Sequence, residues 1–125
     1  MSWAVKLDGV PVPKSRPRFT RTGHAYTDPK TRDYEKTVGA AWVKQWGANM
    51  RLEGDLHATV IVGTPNMRGD VDNFAKSVLD ALQLVGAFDR GDEQVTSLRV
   101  FKVRTSREEA YTFAQLMPAE AFSVI

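Results

Sequence analysis

Cysteine is absent from this chain of 125 residues, so neither a disulfide framework nor a thiolate metal site is open to it. Histidine occurs only as His24 and His57, too few for a His-rich zinc centre. Long apolar runs are missing too. Nothing reads as a signal peptide or approaches membrane-spanning length, so the expected location is the cytoplasm, with no membrane partner. Internal repeats and low-complexity segments are also lacking. Hydrophobic residues make up 42% of the chain, enough for one core, so residues 1–125 are expected to form a single domain.

Charge is present but unevenly placed. The net value of +2 is slight, yet residues 1–30 hold Lys6, Lys14, Arg16, Arg18, Arg21 and Lys30 against only Asp8 and Asp28, a local balance of +4. A basic segment of this kind is either a solvated loop or the footprint of a polyanionic partner.

The periodicity divides the chain into six elements. Trp3, Val5 and Leu7 alternate with Ala4, Lys6 and Asp8, the period of a half-buried strand, and Pro11 and Pro13 end it. "PKSRPRFTRTGHAYTD" reads as an extended basic loop with a small hairpin around Thr22-Gly23. Asp28-Pro29 opens a helix as N-cap and first residue, and Tyr34, Val38, Ala41 and Trp42 give that helix its apolar face. "DLHATVIVG" is the next strand, with Leu56, Ala58, Val60 and Val62 on its core side. A second helix carries Phe74, Ala75, Val78, Leu79, Leu82 and Val85, and Gly86 ends it. "QVTSLRVFKVR" and "AYTFAQLM" read as two adjacent strands joined by a charged turn at Arg107 and Glu108, with Pro118 as the stop. The fold class expected is α/β (α+β): a mixed sheet of about four strands with both helices on one face.

The second helix begins "GDVDNFAKSVLDAL", with Asp70 and Asp72 two residues apart. Either acid can cap the helix and favour its positive end. If residues 70–72 are extended, however, both carboxylates point the same way and repel, and a hard divalent cation is one neutralising partner. Lys76 is another. Asp72, Lys76 and Asp80 also form an i, i+4, i+8 stripe of the kind found on solvated helices, and Asp80 fits that plain role. Further on, "FDRGDEQV" sets Asp89, Asp92 and Glu93 in a turn before the next strand. Asp89 with Gly91 has ordinary turn chemistry. If the return strand brings Asp92 back beside Asp70 and Asp72, three carboxylates and a lysine would make a metal-assisted phosphoryl-transfer site.

"GVPVPKSRPR", "GDVDNFAKSVLDAL" and "FDRGDEQV", in this order and spacing, resemble the RusA family of Holliday junction resolvases, common on bacterial prophages and phages. The resemblance covers nearly the whole chain. It implies a homodimeric, Mg²⁺-dependent endonuclease (Mn²⁺ being an alternative) that places symmetric nicks in a four-way DNA junction. Carried over, Asp70, Asp72 and Asp92 are the metal-binding acids, Lys76 the lysine needed for cleavage, and Asn73 a support for the site. Lys14, Arg16, Arg18, Arg21 and Arg68 are the expected DNA contacts. Arg16 precedes Pro17 and so leans toward extended structure, which lets Lys14, Arg16 and Arg18 face one way. Two departures stand out. Gly91 replaces the first of two adjacent acids, which makes Asp89 or Glu93 a possible helper of Asp92, and Gly69 stands where a relative has arginine. The competing readings are a non-catalytic branched-DNA binding protein and a metal-dependent nuclease or phosphatase acting on another substrate.

Overall fold

The computed structural model describes residues 1–15 and 18–122, with only the backbone described at Arg18. Strand β1 (Trp3–Asp8) is followed by a minimal hairpin of β2 (Arg18–Phe19) and β3 (Ala25–Tyr26). Helix α1 (Pro29–Trp46), strand β4 (Leu56–Thr64), helix α2 (Val71–Leu84), and strands β5 (Val95–Arg104) and β6 (Tyr111–Pro118) complete the fold. The expected α/β (α+β) arrangement is the one observed: a mixed four-stranded sheet and two helices that pack on each other.

The expected helix starts and stops lie where local chemistry puts them. Asp28 caps α1 by accepting a 2.8 Å hydrogen bond from the Lys30 amide, with Pro29 at the first helical position. Gly86, at φ +75°, turns the chain after α2, and the Ala87 amide bonds back to the Leu82 carbonyl. The core joins Val38 and Trp42 of α1, Phe74, Val78 and Leu82 of α2, and Leu56, Ala58, Val60 and Val62 of β4.

One expectation about the sheet fails. Strands β5 and β6 are consecutive in the chain but not neighbours, because the sheet order is β1-β6-β4-β5. Strand β5 pairs in parallel with β4, and β6 runs antiparallel between β4 and β1. The reason is the connection through α2, since a helical crossover returns the chain parallel to the strand it left. The link from β5 to β6 then passes over the end of β4, where the Thr105 amide bonds the Thr64 carbonyl at 3.1 Å.

This topology gives the sheet two distinct ends. The last residues of β4 and β5 and the start of α2 lie at the carboxyl end of the parallel pair, the usual ligand-binding edge of parallel α/β units. The turn from α2 to β5 lies at the other end. The helix-free face also differs from the core face. It carries Ile61 paired with Phe101 and Phe113, and Gly63 paired with Val103 and Tyr111. Phe101 is 48% exposed and Val103 41% exposed, so much apolar surface there is uncovered.

Candidate active site

Asp70 and Asp72 stand at the start of α2. Asp70 occupies the N-cap position in an extended conformation, yet its side chain makes no capping hydrogen bond. Its carboxylate is exposed. Asp72 lies in the first turn, also exposed, and accepts a 3.1 Å bond from the Asn73 amide. Neither acid is buried or ion-paired among the described residues. Asn73 is half-buried, and its carbonyl receives the Lys14 amide at 2.8 Å and the Ser77 hydroxyl at 3.3 Å. It ties the start of α2 to the root of the basic loop.

The loop before Asp70 is held from two sides. Gly69 has φ +91°, and a Cβ there would lie 3.0 Å from Pro13 and 3.2 Å from Phe74. An arginine at this position would therefore be strained and crowded. On the other side the Lys102 ammonium donates to the Met67 and Gly69 carbonyls, each at 2.8 Å. The Arg68 amide bonds Asn66 Oδ1 at 3.0 Å, and an open cleft lined by Asn66, Arg68 and Arg104 lies alongside. Lys102 and Arg104 were not legible as site residues, because only the parallel pairing of β5 with β4 carries them to this end.

Lys76, one turn after Asp72, donates to Asp80 Oδ1 at 3.0 Å and stays largely exposed. Asp80 also meets Lys14, 3.1 Å away through Oδ2, and Lys14 donates to Glu35 Oε1 at 2.6 Å. Burial alone would lower the Lys14 pKa, but bonding and attraction from Glu35 and Asp80 outweigh it and raise it above the ordinary lysine value. Lys14, one of the expected DNA contacts, thus faces two protein carboxylates. Arg21 is exposed in the hairpin turn. Arg16, Pro17 and the Arg18 side chain lie outside the described residues.

Asp92 is placed elsewhere. It opens a single 3-10 turn, Asp92–Gln94, after Gly91, and its amide bonds Gln83 Oε1 at 3.1 Å at the far end of α2. Buried Gln94 locks this turn by donating to the Leu52 and Gly54 carbonyls at 2.9 and 2.8 Å. Gln83, which holds the Asp92 turn, lies eleven residues along α2 from Asp72 (83 − 72), about 16 Å at a rise of 1.5 Å per residue. Contrary to the convergence considered from spacing, one chain does not bring them together. The physical reason is the crossover, which leaves its two loops at opposite sheet ends. Among the described residues no three histidine or acidic side chains form a metal-holding group. The Asp70–Asp72 pair still fits a hard cation, since magnesium is commonly held by one or two carboxylates with water and substrate phosphate.

A family model for endodeoxyribonuclease RusA matches residues 8–111. The chain belongs to the RusA endodeoxyribonuclease family, and the match takes in both helices, the loop before Asp70 and the Asp92 turn. Membership implies a Holliday junction resolving endonuclease, which acts on branched DNA. No curated protein matches the chain. Among the described residues, no helix is long and apolar enough to cross a membrane.

Proposed function

We propose that the protein is a homodimeric, Mg²⁺-dependent resolvase that makes paired symmetric nicks in four-way DNA junctions in the cytoplasm. The observation that carries this reading is Asp70. It occupies a cap position without capping, beside a second exposed acid, and among cationic side chains at the carboxyl end of the parallel strands. A purely structural acid at that position would bond the helix amides.

Asp70 and Asp72 would hold the ion, with Mn²⁺ as a substitute. When bound, Mg²⁺ supplies a water of lowered pKa and offsets the charge of the scissile phosphate. Lys76 stabilises the charge that grows on the phosphate oxygens. Asn73 fixes the acids' helix turn against the basic loop. Arg16, Arg18, Arg21 and Arg68 hold DNA phosphates through contacts that weaken with salt.

Asp92 takes part through a second copy. A two-fold dimer makes reciprocal contacts, so two chains packed antiparallel can bring the Asp92 end of each to the Asp70–Asp72 end of the other. Two-fold symmetry also suits a substrate cut at two related positions. The uncovered apolar face around Phe101 and Val103 provides surface for such pairing.

The test uses a synthetic four-way junction and a matching linear duplex, with and without Mg²⁺, and compares wild type with Asp72→Asn. Symmetric metal-dependent nicks in the junction alone, lost in the variant while binding persists, are expected. Junction binding without nicks would make this a branched-DNA binding protein. Equal cutting of both substrates would point to a nuclease of another specificity.

A further inference from the structure

We propose that Lys14 acts inside the protein and that, with Glu35 and Asp80, it braces the basic loop and Lys76 in their working positions. The inference rests on the resolvase reading above. Lys14 is pinned at both its backbone and its side chain. Its amide bonds the Asn73 carbonyl at 2.8 Å, and its ammonium sits between Glu35 at 2.6 Å and Asp80 at 3.1 Å. The three elements so joined are the loop after β1, helix α1 and helix α2.

Glu35 is the anchor of the group. Only 7% of its side chain is exposed, and a buried carboxylate requires a partner. Lys14, at 25%, is that partner and cannot leave for a DNA phosphate without stranding it. Asp80 divides its two oxygens, Oδ2 to Lys14 and Oδ1 to Lys76. The same carboxylate therefore restrains the loop root and the lysine that faces the phosphate. Next to it the Ser15 and Thr31 hydroxyls lie 3.4 Å apart, a second stitch from the loop to α1. An open cavity of about 310 Å³ beside this group is lined by Lys14, Glu35 and Asp80 together with Arg32, Gln83 and Leu84. Lys14, Glu35 and Asp80 are positioning residues in this scheme, and Lys76 is the group that touches DNA.

Salt dependence distinguishes a brace from a phosphate contact. Junction affinity is measured without metal across a range of salt for wild type, Arg21→Met, Lys14→Met and Lys14→Arg. Losing a phosphate contact lowers the slope of log K against log salt by about 0.9. Arg21→Met is expected to show that decrease. Lys14→Met is expected to weaken binding several-fold at every salt concentration with the slope unchanged, and Lys14→Arg to restore affinity. In single-turnover nicking with the junction saturated by enzyme, Asp80→Asn is expected to slow cleavage roughly tenfold with Tm preserved. Should Lys14→Met fold poorly, Glu35→Gln, which keeps a hydrogen-bond acceptor, is expected to show the same weaker binding at an unchanged slope. A slope lowered by about 0.9 in Lys14→Met would overturn the brace and make Lys14 a phosphate contact. An unchanged nicking rate in Asp80→Asn would also overturn it. If wild type neither binds nor cuts the junction, it is the resolvase reading that fails.

Discussion

Replacing Tyr34 with phenylalanine tests the packing that sets α1 on the sheet and so aims Glu35. The Tyr34 hydroxyl lies 2.6 Å from the Thr112 hydroxyl on β6, and both residues are buried. Removing one partner leaves the other buried and unpaired, a cost of about 1–3 kcal/mol at neutral pH. Burial pushes the Tyr34 phenol up from 10.0 to about 12, although the bond to Thr112 works the other way. Folding thus favours the neutral phenol. Its contribution is fully present below pH 10, where the unfolded chain is also neutral, and is lost as pH rises from 10 to 12. One pKa unit corresponds to about 1.4 kcal/mol, so the wild type should lose about 2 kcal/mol from this group by pH 12. Tyr34→Phe has no phenol to ionise and escapes that loss. Lys14 is common to both proteins and cancels in the difference. Urea unfolding followed by tryptophan fluorescence from pH 8 to 11.5 should show the variant less stable at pH 8 and the gap closing above pH 10. A gap that stays constant across this range would refute the assignment of a buried, hydrogen-bonded phenol.

Asp70→Ala should change stability by less than about 0.5 kcal/mol, well under the loss of about 1 kcal/mol typical of a removed cap, while abolishing nicking. Thermal melts and a junction assay read the two effects separately. Gly69→Ala should destabilise by about 1–2 kcal/mol, from left-handed strain and crowding against Pro13, and slow cleavage more than it weakens binding. Equilibrium unfolding and single-turnover rates check it. Phe101→Asp on the uncovered sheet face should halve the mass seen by light scattering and remove paired nicking, with the monomer still folded by circular dichroism.

Local chemistry made much of the fold legible. Asp28-Pro29 marks a helix start through its own side chains, Gly86 a helix end through its backbone freedom, and the β4 core residues through simple alternation. What was hidden depends on contacts distant in sequence. The insertion of β6 between β1 and β4 leaves no local trace, because strand periodicity is the same whichever neighbour a strand takes. For the site, the pairing of acids at residues 70 and 72 was visible in the sequence, but the spacing of Asp92 says nothing of the end of the sheet it reaches. That follows only once β4 and β5 are known to be parallel. Lys14 reads as one basic residue in a basic loop, and only the packing of α1 and α2 sets Glu35 and Asp80 against it.

The most direct measurement mixes two inactive variants. Asp72→Asn and Asp92→Asn are purified separately, co-refolded to form heterodimers, and assayed on a four-way junction with Mg²⁺. If each site takes Asp70 and Asp72 from one copy and Asp92 from the other, the heterodimer holds one intact site, and single nicks should return. If the mixture stays as inactive as its parents while wild type cuts, the three acids do not share a site across two copies, and the proposed assembly is wrong.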